Sequence, residues 1–277
     1  MKLFDPSEVK LMGVINVTPD SFSDGGEFLS VEEAVEHGHR LFEEGADILD
    51  VGGESTRPGA EPVPMDEELK RVVPVIDNLS RIIDIPISVD TYKEQVARAS
   101  LDAGAGIVND ISALRFDENM AGLIAGRGCD VILMHMKGTP RNMQVNPEYD
   151  DPISEIIEFL KERVEYALRM GIEKDRIKID PGLGFGKRQK GVIDDNWEIM
   201  AHLHELRELG YPIVIGSSRK SFIGRALDGI SPDRRLYGSL GSFAWAAIAG
   251  ADILRVHDVA ETRDVLAILA EIISRVD

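Results

Sequence analysis

The feature that most constrains this chain is an alternation of short apolar runs with longer amphipathic stretches, which continues along its whole length. Each run is nearly all apolar until its last few residues, the pattern of parallel strands buried on both faces. The candidate strands are residues 11–16, 48–52, 87–90, 107–110, 131–135, 177–180, 213–217 and 253–257. Helical patterns lie between and after them, at residues 31–44, 66–81, 93–103, 118–126, 153–170, 196–209, 221–227, 240–249 and 261–275.

Eight strands alternating with helices predict a parallel α/β fold, and their number favours a closed barrel over an open doubly wound sheet. A single (β/α)8 or TIM barrel takes about 250 residues, which suits the 277 residues of this chain. No Pro/Ser-rich linker, shift in composition or short repeat divides the sequence, so residues 1–277 are predicted to form one domain. Gly45, Gly104, Gly171 and Gly210 each follow a helical pattern, as expected of helix C-caps.

Polar groups close all eight apolar runs. The run ends are Asn16, residues 50–54, Asp90, residues 109–110, His135, residues 180–182, residues 217–220 and residues 255–258. In a barrel these C-terminal ends form one rim, where the active site lies. Any single Asp or Asn could instead be a helix N-cap or a solvated loop residue, but the coincidence at eight ends favours a site. Two loops at the same rim, residues 16–26 and 53–60, mix Gly and Pro with charged and hydroxyl groups and are candidate lids.

The formal net charge of −18 argues against binding to nucleic acid or to an anionic membrane, since both need excess Lys and Arg. The same field repels an anionic substrate, so a phosphate-bearing substrate would require basic residues concentrated in one site. No apolar run approaches the roughly 20 residues that cross a bilayer, and the start of the chain lacks the apolar core of a signal peptide. These features predict a cytoplasmic protein. The single cysteine, Cys129, precedes an apolar run and is expected to be a buried structural thiol.

Two long segments at the rim carry a family resemblance. Residues 13–26, GVINVTPDSFSDGG, and residues 50–59, DVGGESTRPG, resemble the two signatures of the dihydropteroate synthases. Shorter matches follow in the family's order and cover nearly the whole chain: SVDT at 88–91, ND at 109–110, LMHM at 133–136, DPGLGFGK at 180–187, SRKS at 218–221 and RVHD at 255–258. The resemblance implies a transferase on a pterin-binding TIM barrel, with its active site at the C-terminal ends of the strands.

The resemblance also implies a reaction. In this family 4-aminobenzoate displaces pyrophosphate from 6-hydroxymethyl-7,8-dihydropterin pyrophosphate, giving 7,8-dihydropteroate in folate biosynthesis, and Mg²⁺ is required. The pterin partners carried over are Asp90, Asn109, Met134, Asp180 and Lys220. The carboxylates and the amide would pair with the polar edge of the pterin, Lys220 would donate to its carbonyl side, and Met134 would pack on the ring.

The remaining roles follow from the same matches. Asn16, Arg255 and His257 would bind the pyrophosphate, and Asn16 would give an oxygen to Mg²⁺. Arg255 and His257 alternate along the eighth strand and so share a face. The residues assigned to 4-aminobenzoate are Phe22, Thr56, Arg57, Pro58, Phe185 and Ser221, with a helix N-terminus near its carboxylate. The residues assigned to catalysis are Asp24, Arg57, Lys220, Arg255 and His257, with Asp24 and Arg57 forming an ion pair when the two loops close.

The family resemblance also implies a homodimer whose partners are two small molecules. One segment, residues 188–195, is longer and more basic at its start than the stretch expected after the glycine loop, which puts the placement of Phe185 and Lys187 in doubt. Two other functions stay open. A pterin-binding corrinoid methyltransferase would share the pterin residues but has no use for the pyrophosphate residues or the loop at 56–58. A non-catalytic pterin-binding paralogue should have lost some of Asp24, Arg57, Lys220 and Arg255, and all four are present.

Overall fold

A computed structural model describes residues 4–18, 30–57, 59–190 and 193–276. Its strands, in chain order, are β1 (Lys10–Asn16), β2 (Ile48–Gly52), β3 (Ile87–Asp90), β4 (Ile107–Asp110), β5 (Asp130–Met134), β6 (Ile177–Asp180), β7 (Gln189–Lys190), β8 (Ile193–Asp194), β9 (Val214–Ile215) and β10 (Ile253–Val256). Eight of them are parallel and form one sheet, while β7 and β8 form a separate antiparallel hairpin.

The large sheet closes on itself. Its hydrogen-bonded order is β6-β5-β4-β3-β2-β1-β10-β9. A single parallel bridge between Ile179 of β6 and Ile213, just before β9, joins the two ends. The backbone N–H of Ile179 also donates to the carbonyl oxygen of Pro212 at 2.9 Å. The predicted (β/α)8 barrel is therefore confirmed.

The helices are α1 (Val31–Glu43), α2 (Met65–Ile82), α3 (Glu94–Asp102), α4 (Met120–Arg127), α5 (Pro152–Arg169), α6 (Asp195–Ala201), α7 (Ser221–Ala226), α8 (Leu236–Ala249) and α9 (Val259–Ile273). The prediction of one helix over 196–209 is wrong, because α6 ends at Ala201 and a 3-10 helix, Leu203–Leu209, follows. The four predicted C-cap glycines all have positive φ, which relieves the last turn of each helix. No helix within the described ranges is long and apolar enough to span a bilayer.

The barrel interior is divided into two levels. Side chains alternate between the two faces of each strand, so every second residue points inward. The lower level is an apolar plug formed by Met12, Ile48, Ile107, Ile132, Val214 and Ile253. Two residues further along three of these strands the residue is polar: Asp50 on β2, Asn109 on β4 and Arg255 on β10. The plug closes the bottom of the barrel, and the polar level opens at the rim.

Candidate active site

An arginine shared by two carboxylates occupies the centre of the barrel mouth. The guanidinium of Arg255 donates from Nε to Oδ2 of Asp50 at 2.6 Å and from Nη2 to Oδ2 of Asp90 at 2.8 Å. Nδ2 of Asn109 also donates to Oδ2 of Asp50, at 3.1 Å. The parallel register explains the cluster, because Gly52 lies beside Asp90 and Asp90 lies beside Asn109. Four residues from β2, β3, β4 and β10 thus form one polar network.

The carboxylates of this network are poorly solvated. Asp50 is fully buried and Asp90 is 8% exposed, and Oδ1 of each accepts no hydrogen bond from any described residue. Burial raises the pKa of Asp90 to about 7, although Arg255 opposes the shift and Asp50 adds to it. Burial alone would lower the pKa of Arg255, but Asp50 and Asp90 outweigh it and the pKa is raised. Arg255 is therefore a fixed cation, and Asp90 presents a buried oxygen able to bond a ligand.

A second pair of charges, Asp180 and Lys220, lies beside the first. Burial lowers the pKa of Lys220 to about 8, against the opposing effect of Asp180. Burial raises the pKa of Asp180, with Lys220 opposing. Lys220 Nζ donates to the carbonyl oxygen of Leu183 at 2.5 Å and lies 4.7 Å from the centre of the Phe185 ring. Gly216 adds no side chain between the two basic residues, since a Cβ there would lie 3.6 Å from Cβ of Arg255 and 3.9 Å from Nζ of Lys220.

The turn that presents Lys220 is held in an unusual backbone conformation. Arg219 has a φ of +54°, a conformation that residues other than glycine rarely adopt. Its backbone N–H donates to the Ser239 hydroxyl at 2.8 Å, and its carbonyl oxygen accepts from Arg235 at 2.9 Å. Its guanidinium also pairs with Asp258. These contacts come from the start of α8 (Ser239 and the preceding Arg235) and from Asp258 after β10; they compensate for the strain and fix the position of Lys220.

His257 lies just past the end of β10 and contacts this turn. Its Nδ1 is 2.9 Å from the hydroxyl of Ser218. Burial and the nearby charge of Arg255 lower the pKa of His257 to about 4. The ring is therefore neutral at neutral pH without an anion. Of the two residues that the sequence assigns to pyrophosphate, Arg255 is the charged one in the free protein, where it bonds Asp50 and Asp90.

Apolar side chains form one wall of the mouth. Met134, at the end of β5, packs with Ile111, Met136 and Met143, and Tyr92 and Phe185 lie against this cluster. Met134 and Phe185 were assigned to different substrates, and the fold brings them into one surface. Phe185 is thus adjacent both to the predicted pterin residue Met134 and to Lys220.

The glycine loop after β6 is fastened by a buried lysine. Lys187 is fully buried and donates to the carbonyl oxygens of Gly182 at 2.8 Å and Phe185 at 2.9 Å, and its Nζ lies 3.0 Å from Nδ1 of His135. Burial holds the pKa of Lys187 well below its usual range. Gly182 has a φ of +68°, and a Cβ there would come within 1.9 Å of the His135 carbonyl oxygen. Lys187 therefore has a structural role: it holds the glycine loop in place through two backbone carbonyl oxygens.

The unusual segment after this loop forms the hairpin β7–β8. Arg188 pairs with the buried Asp195 at 2.9 Å, closing the base of the hairpin. Asn196, also buried, accepts from the backbone N–H of Gly184 at 2.6 Å. Gln144 donates to the carbonyl oxygen of the same glycine at 2.8 Å. Asn196, which follows the hairpin, and Gln144 thus hold the glycine loop at Gly184, and the neighbouring Phe185 lies beside Lys220 at the mouth.

The other predicted residues lie around this centre. Asn16 ends β1 and is half-buried, opposite Gly52 in the register. Thr56 is half-buried and Arg57 is exposed, in the loop after β2. Ser221 is exposed at the start of α7, whose six residues give a weaker dipole than a long helix. Phe22, Asp24 and Pro58 lie outside the described residues, and so does the predicted ion pair of Asp24 with Arg57.

Residue-by-residue prediction missed Asp50, although it belongs to a matched segment. Its signal was available, because Asp50 is two residues before Gly52 on the inward face of β2 and is a charged residue inside an apolar run. Ser218 was also missed, and its contact with His257 depends on a turn that no periodicity describes. The buried free thiol of Cys129, in contrast, is confirmed.

Known proteins resemble this chain over nearly its whole length. A family model described as "Pterin binding enzyme" matches residues 12–257. The dihydropteroate synthase of Escherichia coli K12 is 43% identical over 99% of this chain and 97% of its own. A Yersinia pestis dihydropteroate synthase, solved with a sulfonamide drug complex, superposes with a TM-score of 0.91 at 43% identity, covering 98% of this chain and 96% of that one. The Xanthomonas albilineans enzyme in complex with 7,8-dihydropteroate gives 0.86 at 45% identity, with 98% and 96% covered.

A closed parallel barrel whose mouth holds two aspartates, an asparagine and a lysine, and which matches the pterin-binding family model, is a pterin-binding barrel transferase. The matched motifs also include Asn16, Arg255 and His257, which were predicted to bind pyrophosphate, and the loop at 56–58; a corrinoid methyltransferase has no use for either. The chain belongs to the dihydropteroate synthase family.

Proposed function

We propose that this chain condenses 6-hydroxymethyl-7,8-dihydropterin pyrophosphate with 4-aminobenzoate, giving 7,8-dihydropteroate and pyrophosphate. The observation that carries the proposal is the arrangement of Asp90, Asn109, Asp180 and Lys220 around one mouth, with Arg255 between them. A planar heterocycle with ring N–H, amino and carbonyl groups complements two carboxylates, an amide and an ammonium. An analogue lacking those groups would leave the buried groups unpaired, which gives strong selectivity.

The pterin binds deep in the mouth. Oδ1 of Asp90, which no described residue bonds, accepts from the pterin edge. Asp180 accepts on the other side, and Lys220 donates to the pterin carbonyl. Met134 covers one face of the ring, and the apolar wall around it excludes water from these bonds. Excluding water strengthens each of these bonds.

The pyrophosphate lies against Arg255 and His257. Arg255 uses Nε and Nη2 for Asp50 and Asp90, so we assign Nη1 to a phosphate oxygen. Phosphate charge beside His257 raises the pKa of the ring, because an anion favours the imidazolium. The strand-eight end is a frequent phosphate position in TIM barrels.

Mg²⁺ fits the mouth beside Asn16. Asn16 offers one amide oxygen at the rim, and Gly52 opposite it leaves space because it has no side chain. Mg²⁺ prefers oxygen ligands and keeps several waters, so one protein oxygen with pyrophosphate oxygens suits it. When bound, the ion neutralises charge on the leaving pyrophosphate.

The second substrate, 4-aminobenzoate, binds above the pterin. Phe185, Phe22 and Pro58 would enclose its ring, Ser221 would hold its carboxylate, and Thr56 and Arg57 would close over it. The Phe185 ring lies 4.7 Å from Lys220 Nζ, and the Phe185 carbonyl oxygen accepts from Lys187 at 2.9 Å, so both its ring and its backbone are held in place. Asp24 and Arg57 would pair when the two loops meet.

The chemical step is a dissociative displacement. Departure of pyrophosphate, drawn by Arg255 and His257, leaves positive charge on the pterin methylene. The carboxylates of Asp90 and Asp180 stabilise that charge, and the closed loops keep water away until the amine of 4-aminobenzoate attacks. The new C–N bond replaces the broken C–O bond, and the amine nitrogen gives up one proton, which leaves with the pyrophosphate. No side-chain nucleophile takes part, and recovery of a covalent pterin–protein adduct would contradict this route.

We place the protein in the cytoplasm as a homodimer. The buried free thiol of Cys129 suits a reducing compartment. The outer faces of α8 and α9 expose large apolar side chains: Tyr237, Trp245, Ile268 and Ile272. Apolar groups at this density favour contact with a second chain. Sedimentation equilibrium tests the dimer, and Ile268→Glu should weaken it.

The reaction is tested by mixing the protein with the pterin pyrophosphate, Mg²⁺ and 4-aminobenzoate, and following pyrophosphate release and dihydropteroate. Wild-type protein should form product, Lys220→Ala should lose it, and the exposed-lysine control Lys161→Ala should keep it. Tight pterin binding without product would favour a methyltransferase or a silent binder instead.

A further inference from the structure

Both ends of the loop that carries Thr56 and Arg57 converge on one lysine. The loop leaves β2 through Glu54 and reaches α2 through Val63. Lys93 Nζ donates to Oε2 of Glu54 at 2.5 Å and to the carbonyl oxygen of Val63 at 2.6 Å. Oε2 of Glu54 also accepts from the backbone N–H of Val63, at 3.3 Å. We call these three residues, Glu54, Val63 and Lys93, the loop neck.

Lys93 and Val63 of the neck are half-buried, and Lys93 holds two buried carboxylates, those of Glu54 and Glu68. Lys93 also donates to Oε2 of Glu68 at 2.5 Å, and Tyr92 donates its hydroxyl to Oε1 of Glu54 at 2.5 Å. Glu54 is 8% exposed and Glu68 is 1% exposed. Burial raises the pKa of Glu68, and Lys93 opposes the shift. Without the Lys93 ammonium, two buried carboxylates would face each other, so the neck could not keep its present geometry.

The neck rests on the same strand end as a pterin carboxylate. Lys93 follows Asp90 by three residues and is the N-cap residue of α3, where Thr91 Oγ1 accepts from its backbone N–H at 3.2 Å. Tyr92 packs against the apolar wall that contains Met134 and Phe185. A rigid element therefore supports the loop, which is the condition for precise placement of its side chains.

Beyond the neck the loop is held by weaker contacts. The backbone N–H of Gly59 donates to the carbonyl oxygen of Pro140 at 3.1 Å. Glu61 and Arg141, both exposed, lie 3.9 Å apart. Exposed ion pairs of this kind contribute little. The direction of the loop is thus set mainly where it leaves and re-enters the barrel.

We propose that Lys93 is a positioning residue for the second substrate: by fixing the neck, it aims Thr56 and Arg57 at 4-aminobenzoate. The inference rests on the proposed function, because it takes this loop to close over 4-aminobenzoate. Lys93 bonds Glu54, Val63 and Glu68, whereas Asp90, Asn109 and Asp180 keep their own partners. Loss of the neck contacts should therefore weaken binding of 4-aminobenzoate and leave binding of the pterin pyrophosphate unchanged.

The test compares Lys93→Met with Lys178→Met. Lys178 is a matched control, since its side chain is 13% exposed against 19% for Lys93, and it bonds Asp130 at 2.7 Å at the opposite end of the barrel. Lys93→Met should raise KM for 4-aminobenzoate about tenfold, since small misplacements of a positioning group are costly. In the same variant, KM for the pterin pyrophosphate should stay within about twofold of wild type. Lys178→Met should change neither KM, and Lys93→Arg should have a KM for 4-aminobenzoate between those of Lys93→Met and wild type.

A second readout needs no activity. Hydrogen exchange of the amides at 54–63 should accelerate in Lys93→Met and stay unchanged in Lys178→Met. Equal rises in both KM values, or unchanged exchange at 54–63, would overturn the proposal. If Lys93→Met does not fold, Tyr92→Phe removes only the Glu54 bond and should raise KM for 4-aminobenzoate alone, by about threefold; no rise would overturn it. Absence of product from the wild type rejects the proposed function. The hydrogen-exchange result then shows by itself whether Lys93 fixes the loop at 54–63.

Discussion

Asp50 offers the sharpest test of how the barrel mouth orients Arg255, because it bonds Arg255 and is not among the site residues carried over from the family. Asp50→Asn keeps the side-chain volume but removes the charge that accepts from Arg255 Nε at 2.6 Å and from Asn109 Nδ2 at 3.1 Å. Both donors bond the same oxygen, Oδ2, so an amide oxygen in its place can still accept from both, while the new Nδ2 group takes the position of Oδ1, which no described residue bonds. Because the amide oxygen carries no full charge, it holds the guanidinium more weakly than the carboxylate does. We expect the guanidinium to turn toward Asp90, its other partner at 2.8 Å.

The size of the effect follows from the bonds. A hydrogen bond to a charged group contributes about 1.5–3 kcal/mol, and removing a buried carboxylate returns part of its desolvation cost. The net loss in unfolding free energy should therefore be small, about 1 kcal/mol. The loss in kcat/KM should be larger than the loss in stability, because Arg255 would shift toward Asp90 and away from the phosphate position. We expect kcat/KM for the pterin pyrophosphate to fall about 30-fold, equivalent to about 2 kcal/mol of transition-state stabilisation.

Steady-state kinetics and urea unfolding measure the two quantities. Asp130→Asn is the matched control, because Asp130 also accepts from two basic groups, Arg176 at 3.2 Å and Lys178 at 2.7 Å, at the far end of the barrel. It should lose similar stability and keep its kcat/KM. If Asp50→Asn kept kcat/KM within about twofold of wild type, or lost no more than the control, Asp50 would not orient Arg255.

Three further predictions concern groups at the same mouth. The pKa of His257 is about 4 in the free protein, so pyrophosphate binding at pH 6 should be accompanied by proton uptake that His257→Asn abolishes; calorimetry in buffers of different ionisation enthalpy measures it, and identical heats in all buffers would contradict it. The pKa of Lys220 is about 8, so kcat/KM should fall as pH rises through this value and the ammonium is lost, whereas a profile flat to about pH 9.5 would exclude the charge from catalysis. Gly182→Ala forces a Cβ to 1.9 Å from the His135 carbonyl oxygen at a φ of +68°, so urea unfolding should show a loss of about 3 kcal/mol or more, against about 1 kcal/mol or less for Gly122→Ala, which meets nothing within 4 Å.

Local pattern determined the architecture of this protein. A strand buried on both faces needs an apolar run, and a parallel barrel needs a helix between successive strands, so periodicity alone located eight strands and their order along the chain. The predicted ranges 48–52, 87–90, 107–110 and 177–180 coincide with β2, β3, β4 and β6. The rim residues were equally predictable from the sequence, because a polar group at the end of an apolar run is a local signal.

Short elements were not predictable in this way. The hairpin β7–β8 has two residues in each strand, too few to show a period, and the helix predicted over 196–209 changes to a 3-10 helix at Leu203 with no break in its apolar pattern. Closure of the barrel depends on one bridge, between Ile179 and Ile213, which no single segment encodes.

The charges of the site were decided by tertiary structure. Asp50 and Arg255 are 205 residues apart in sequence, and only the closed barrel brings them to 2.6 Å. His257 is neutral because the fold buries it beside Arg255. Lys187 holds the glycine loop because the fold encloses its side chain completely. The sequence specifies which ionisable groups reach the rim. Their protonation and pairing depend on burial and on neighbours from distant strands, so these properties exist only in the folded chain.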